Sequence, residues 1–354
     1  PSGIEGNRGG HMRLGTGIGR DNPATLAARA QSLEKAGIEI LWASELYGFD
    51  GVSLMGFLAC ATEHVQIGSS ILPFYSRTPT LLAMSAAGVD ALSGGRCILG
   101  IGSSGPQVIE GFHGVPFDGP VGRVEEIIEI CHTVWRREPI RHHGRYYEIP
   151  LAAGKGLGLG KPLKMVDHPV RDRIPIYVAS LGPRNVESTA EKADGWLPIF
   201  FWPERAAQVW GEPLKKGTSS RDPALAPLEV VASTTVAIGE DFGDLSQAAR
   251  PQLALYIGGM GALEKNFYND LTCRYGFEEA AHTIQELYLS GHKDEAARAV
   301  PQELIDGTTM IGPAGHVRDR LAAYKDAGVT ILNARIAGGD RDRTISQLRE
   351  WMAD

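Results

Sequence analysis

Two rhythms of apolar and polar positions alternate along the chain. Short, nearly unbroken apolar runs read as strands buried on both faces. Between them, apolar residues recur every three or four positions, as on helices with one buried side. The runs predict strands over Arg13 to Gly19, Ile38 to Glu45, Val65 to Pro73 and Cys97 to Ser103. They resume over Ile174 to Ser180, Gly195 to Phe201, Leu228 to Ile238 and Val329 to Ala337. The first helix begins at Asn22-Pro23, an N-cap followed by an N1 proline, buries Leu26, Ala30, Leu33 and Ala36, and stops at Gly37. Further helices are expected around Leu54 to Thr62, from Thr78-Pro79 to Ser93-Gly94, over Val121 to Arg136, and over Ile345 to Met352. Two stretches break the rhythm. Residues 139–173 are irregular and read as an insertion or lid loop; residues 241–310 read as a second, mainly helical insertion. Eight strands alternating with helices favour a closed α/β barrel, the (β/α)8 or TIM barrel, over an open doubly wound sheet. No internal repeat and no linker divides the chain, so residues 12–354 are expected to form one domain.

Composition narrows the picture. With 43% hydrophobic residues there is enough apolar matter for one large core, and no apolar run approaches the ~20 residues of a membrane span. A net charge of -7 argues against nucleic acid or an anionic membrane as partner. Cys60, Cys97, Cys131 and Cys273 are widely spaced in apolar surroundings, which suggests buried, reduced thiols in a cytoplasmic protein. Cys131-His132 and His142-His143 lack metal-site spacing, so no metal is expected. Pro1 to His11 has no helix or strand period and reads as an expression-tag remnant before a native Met12.

Barrel strand ends converge on one face, where a barrel places its chemistry. The sharpest of them is Ser93 to Gly105: a helix stop, a buried strand, then a loop with Gly102, Ser103, Ser104 and Gly105 and almost no side-chain bulk. A flat, wide ligand could lie against such a backbone. The other ends carry Gly17 to Gly19, Ser44 to Tyr47, Ser69 to Pro73, Ala179 to Pro183, and Phe200 to Trp202. They offer hydroxyls, one carboxylate and aromatics, but no nucleophile–histidine–acid set, which suits a site whose reactive group belongs to a bound cofactor. Ala179-Ser180-Leu181-Gly182-Pro183-Arg184-Asn185 runs from a strand into a helix start, a place for a phosphate or an ordinary turn. Glu45, at the end of a buried strand, needs a partner or a ligand. His113 and His168 read as structural or solvent-facing, and Phe200, Phe201 and Trp202 as pocket wall.

Several motifs resemble one family. Leu41 to Glu45, Ile67 to Pro73, Arg77-Thr78-Pro79 and Asp90 to Arg96 resemble the bacterial luciferase-like superfamily, as does Gly328-Val329-Thr330 before the last strand. Leu92-Ser93-Gly94-Gly95-Arg96 is specific to it. Gly105 to Phe117, Gly160 to Lys164 and Ala193 to Phe201 are similar to an actinobacterial branch grouped with oxidoreductases that use the deazaflavin coenzyme F420. The likeness implies a TIM barrel with insertions, a homodimer, and a deazaflavin lying over the strand ends. It implies a non-proline cis peptide at Ser70-Ile71 and a phosphate on the Ser180 to Arg184 turn. Cofactor contacts are then expected from Glu45, Ser69, Ser70, Ile71, Gly102, Ser103, Ser104, Ala179, Ser180, Leu181, Gly182, Pro183 and Arg184. Two departures matter. Sugar-phosphate dehydrogenases of the family have Asp-His where this chain has Glu45-Leu46, and a glutamate near the position of Gly105. Reduction of an activated C=C or C=N bond therefore fits better, with hydride from the cofactor and a proton from Glu45, Tyr47, Ser103 or water. Phe112, Phe201 and Trp202 point to a bulky, apolar small-molecule substrate. The competing readings are a flavin mononucleotide (FMN) monooxygenase of the same fold and a cofactor-carrying protein without turnover.

Overall fold

The computed structural model describes residues 11–19, 22–240, 243–261 and 265–353. The tag-like segment before His11 lies outside them. Among the described residues eight parallel strands close on themselves: β1 (Arg13–Ile18), β2 (Ile40–Ala43), β3 (Gln66–Ser69), β4 (Cys97–Gly102), β5 (Ile176–Val178), β6 (Gly195–Trp196), β7 (Glu229–Ile238) and β8 (Ile331–Ile336). Each pairs with the next, and β8 returns to β1 with Arg13 opposite Ile331 and Gly15 opposite Asn333. One main helix follows each strand: α1 (Pro23–Ala36), α2 (Gly51–Ala61), α3 (Pro79–Ser93), α4 (Pro120–Trp135), α5 (Pro183–Lys192), α6 (Pro203–Ser219), α7 (Ala314–Asp326) and α8 (Arg341–Ala353). This is the expected (β/α)8 barrel; most predicted elements lie within a few residues of the pattern, but β6 stops at Trp196, short of the expected Phe201, and the sequence pattern assigned no bounds to α6 and α7. A short strand, Met310–Gly312, pairs with β7 and was not expected from the apolar pattern.

The predicted punctuation acts as read. Asn22 caps α1 by accepting from the Ala24 amide at 3.0 Å, and Gly37 ends it with φ 98°. Thr78 accepts from the Leu81 amide at the start of α3. The Ser93 to Arg96 motif is a clamp. Arg96 donates to the carbonyls of Ala59, Thr62 and Val65. It thereby satisfies the C-terminal end of α2, whose last carbonyls have no partner within the helix.

Alternation along the strands divides the interior into layers. Ile40, Trp42, Ile98, Tyr177, Leu197, Val231 and Ile331 point inward and fill the barrel floor. Two rings need room: a Cβ at Gly68 would collide with the Trp42 ring, and one at Gly195 would come within 2.6 Å of Tyr177. One step toward the carboxyl ends, most inward positions become small or polar, with Gly17, Ser44, Ser70, Gly102, Ala179, Ser233 and Asn333. The floor is therefore solid and the layer above it is open.

The two insertions part company. Residues from the 241–310 segment roof the open end. Residues 139–173 do not: none lines the cavity, and Arg171 anchors the segment on Asp90 and the Cys97 carbonyl, at the opposite, amino end of β4. The lid alternative for this loop is thereby corrected. The cysteine expectation needs correcting too, since Cys97 and Cys131 are buried but Cys60 is exposed. Among the described residues no helix is long and apolar enough to cross a membrane.

Candidate active site

A cavity of about 980 Å³ occupies the carboxyl end of the barrel. Its floor is the layer of small side chains. Its roof is Leu253, Tyr256, Met260, Phe267 and Tyr268, from the helical insertion. Tyr268 is buried enough that its phenol is pushed well above its ordinary pKa, so it serves as wall.

The cavity lining includes Glu45, Ser70, Ile71, Gly102, Ser103, Ser104, Ala179, Ser180, Leu181, Gly182, Pro183 and Arg184. These residues line one cavity. The Ser70–Ile71 peptide is cis. Ser104 adopts φ 57°, in the left-handed region that non-glycine residues seldom occupy and that is found disproportionately at functional sites. Gly17 and Gly182 face open space: a Cβ added at either would meet nothing within 4 Å. Gly182 is also the N-cap of α5, whose first-turn amides lack intrahelical acceptors. Asn185, on that turn, has a buried Oδ1 with no partner.

Five expected site residues sit elsewhere. Ser69 is fully buried; its Oγ donates to the Gly100 carbonyl and accepts from the Gly100 amide, both at 2.8 Å. Period-two alternation turns Ser70 inward and therefore turns Ser69 away. Tyr47 and Phe112 are 60% and 64% exposed and pack on each other, ring centroids 6.1 Å apart, outside the cavity. Phe201 and Trp202 are core. Phe201 stacks on Trp210 at 5.8 Å and Trp202 on Phe277 at 6.1 Å. The strand ends at Trp196, the consecutive residues Leu197 to Phe200 line the cavity, and Phe200, at φ 51°, immediately precedes the residues that enter the core. Phe200 itself faces the cavity and meets Tyr256 and Tyr268 edge-on.

Glu45 borders the cavity but is fully engaged. Arg77 donates to both of its oxygens, at 2.6 and 2.8 Å, and the Gly51 amide donates to Oε2 at 2.6 Å. Arg77 also reaches Asp50 at 2.7 Å. Burial works against the Arg77 charge, but Glu45 and Asp50 outweigh it and hold its pKa above the ordinary value. Three donors thus occupy the two carboxylate oxygens. In this arrangement Glu45 braces the loop between β2 and α2. Ser180 is similarly committed, to Thr189 at 2.9 Å, and the Ser103 hydroxyl, on the cavity wall, donates to the Ser104 carbonyl at 3.2 Å.

Asn185, the last residue of the predicted turn motif, also lines the cavity, and residues that no sequence motif singled out complete the site: Ser233, Thr235, Asn333 and Arg335 on β7 and β8, and the roof. A signal was present. Inward positions read Val231, Ser233, Thr235 and Ile331, Asn333, Arg335, turning from apolar to polar midway along each strand.

Comparison with known proteins agrees with this geometry. The model of the family described as "Luciferase-like monooxygenase" matches residues 6–330. A Mycobacterium tuberculosis protein named "Putative coenzyme F420-dependent oxidoreductase Rv3520c" is 38% identical over 347 residues, covering 95% of this chain and 99% of that one. A 5,10-methylenetetrahydromethanopterin reductase of Archaeoglobus fulgidus is 26% identical, covering 88% of this chain and 90% of its own. Among solved structures, the coenzyme F420-dependent tetrahydromethanopterin reductase from Methanopyrus kandleri superposes with a TM-score of 0.77 at 22% identity, covering 96% of this chain and 98% of that one.

Proposed function

The chain belongs to the luciferase-like monooxygenase family, and from that premise we propose that it is an oxidoreductase using coenzyme F420. The observation that carries the reading is the 38% identity to the Mycobacterium tuberculosis protein along 95% of the chain. The residues of the cavity fit such a group. Gly102 to Gly105 and Ser70-Ile71 offer a backbone surface for a flat ring. The α5 turn offers amides and Arg184 for a phosphate, and the unpartnered Asn185 Oδ1 offers an acceptor for a hydroxyl beside it.

When bound, a deazaflavin supplies or accepts hydride. The chain's own residues do the rest. The α5 turn fixes the polar tail, the roof of Leu253, Tyr256, Met260 and Phe267 excludes water, and the bare glycine wall sets how closely a substrate approaches. With Glu45 committed to Arg77 and Tyr47 outside, Ser103 is the side chain of the expected set left to pass a proton, directly or through water. We propose reduction of an activated C=C or C=N bond in a substrate with an apolar body, held by Phe200 and the roof. The reading also includes a homodimer through the outer faces of α2 and α3.

The test is a fluorescence titration of the purified protein with oxidised F420 and with FMN. Binding of F420 at micromolar or tighter dissociation constant, with FMN weaker, is expected. A preference for FMN would overturn the assignment.

A further inference from the structure

Among the described residues, the charged side chains lining the cavity are Glu45, Arg184 and Arg335. Glu45 is neutralised by Arg77. Arg184 stands on the α5 turn, where the proposed cofactor phosphate takes it. Arg335 is left. It lies on β8, three strands round the barrel from β5, and makes no hydrogen bond or ion pair with any described residue. Its neighbours are polar and in register: Ser233 pairs with Asn333, and Thr235 with Arg335. Asn333 donates to Ser233 Oγ at 3.0 Å, and its Oδ1 is buried without a partner.

Arg335 is exposed at the cavity wall and unpaired, so its guanidinium is free to present a planar pair of donors to an oxyanion. The acceptor Oδ1 of Asn333 asks for an N–H or O–H from the same ligand.

We infer that this β7–β8 wall binds the substrate's head group, and that the substrate is an apolar-bodied acid whose carboxylate or equivalent oxyanion rests on Arg335. This names the substrate class for the oxidoreductase proposed above and rests on that reading. The cofactor and the acid then occupy opposite ends of the cavity, one at Arg184 and the other at Arg335. The roof holds the apolar body between them.

The experiment uses trans-cinnamate and its neutral near-isostere trans-cinnamamide, titrated calorimetrically into the protein saturated with oxidised F420. Cinnamate is expected to bind at least tenfold more tightly than the amide. Arg335→Gln should abolish that preference, Arg335→Lys should restore part of it, and F420 affinity should stay within twofold in both. Arg184→Gln should do the reverse, weakening F420 and sparing the preference. Equal binding of acid and amide, no binding of cinnamate, or a preference that survives Arg335→Gln would overturn the inference. Failure of the cofactor reading shows separately, as absent F420 binding before any acid is added. The same acid titrations on the cofactor-free protein still read Arg335.

Discussion

At the scale of single residues, a side chain's role follows from what holds it. Glu45 has the chemical capacity to give a proton, but two guanidinium nitrogens and one amide occupy its oxygens. Glu45→Gln replaces an acceptor-only group by one with a single carbonyl, leaving the half-buried Arg77 with Asp50 as its ionic partner. Stability should fall by about 1–3 kcal/mol, the cost of weakening a buried charge pair. Single-turnover hydride transfer at saturating cofactor should stay within about threefold of the parent, because the carboxylate moves no proton. Chemical denaturation and stopped-flow absorbance measure the two quantities. A hundredfold loss of transfer with a flattened pH profile would return Glu45 to acid–base work.

At the scale of elements, the turn into α5 carries the cofactor argument. Gly182 has φ -70° and ψ 146°, which any residue adopts, and a Cβ there meets nothing within 4 Å. Aspartate is moreover a favoured N-cap. Gly182→Asp should therefore fold as well as the parent, with an unchanged or slightly raised Tm. Yet its carboxylate would compete with an anion for the same amides and repel it. F420 affinity should drop at least tenfold by fluorescence titration. Unchanged affinity would place the phosphate elsewhere. The contrast between α5 and β6 is instructive. Gly182-Pro183 was legible as a helix start because capping is local, whereas the placement of Phe201 follows an irregular segment after Trp196 that includes the left-handed Phe200.

At the scale of the whole molecule, one face remains unaccounted for by the barrel. Leu81, Met84 and Leu92 are 46%, 53% and 59% exposed on α3, with Phe57 at 44% on the neighbouring α2. Positions 81, 84, 88 and 92 share one side of the helix, so the side chains form a stripe, and exposed stripes of this kind mark association surfaces. Met84→Glu should convert the proposed homodimer to monomer in sedimentation velocity, because a charge would be buried without a partner. A parent protein that sediments as a monomer would refute the dimer.

The sequence by itself determined the order and ends of most elements, the barrel they close into, and the cluster of Ser70, Gly102 to Ser104 and Ser180 to Arg184 on one face. These features depend on short-range physics: caps, glycine stops, and apolar periods of two and 3.6. Tertiary structure alone decided which side chains reach the cavity. Ser69, Tyr47, Phe112, Phe201 and Trp202 lie near strand ends in sequence, yet pack elsewhere. Asn333 and Arg335 attract no attention in sequence, yet face the opening. The physical reason is that a strand's inward direction is set by register and by single backbone dihedrals. A partner such as Arg77, 32 residues from Glu45, is found only when the chain closes on itself.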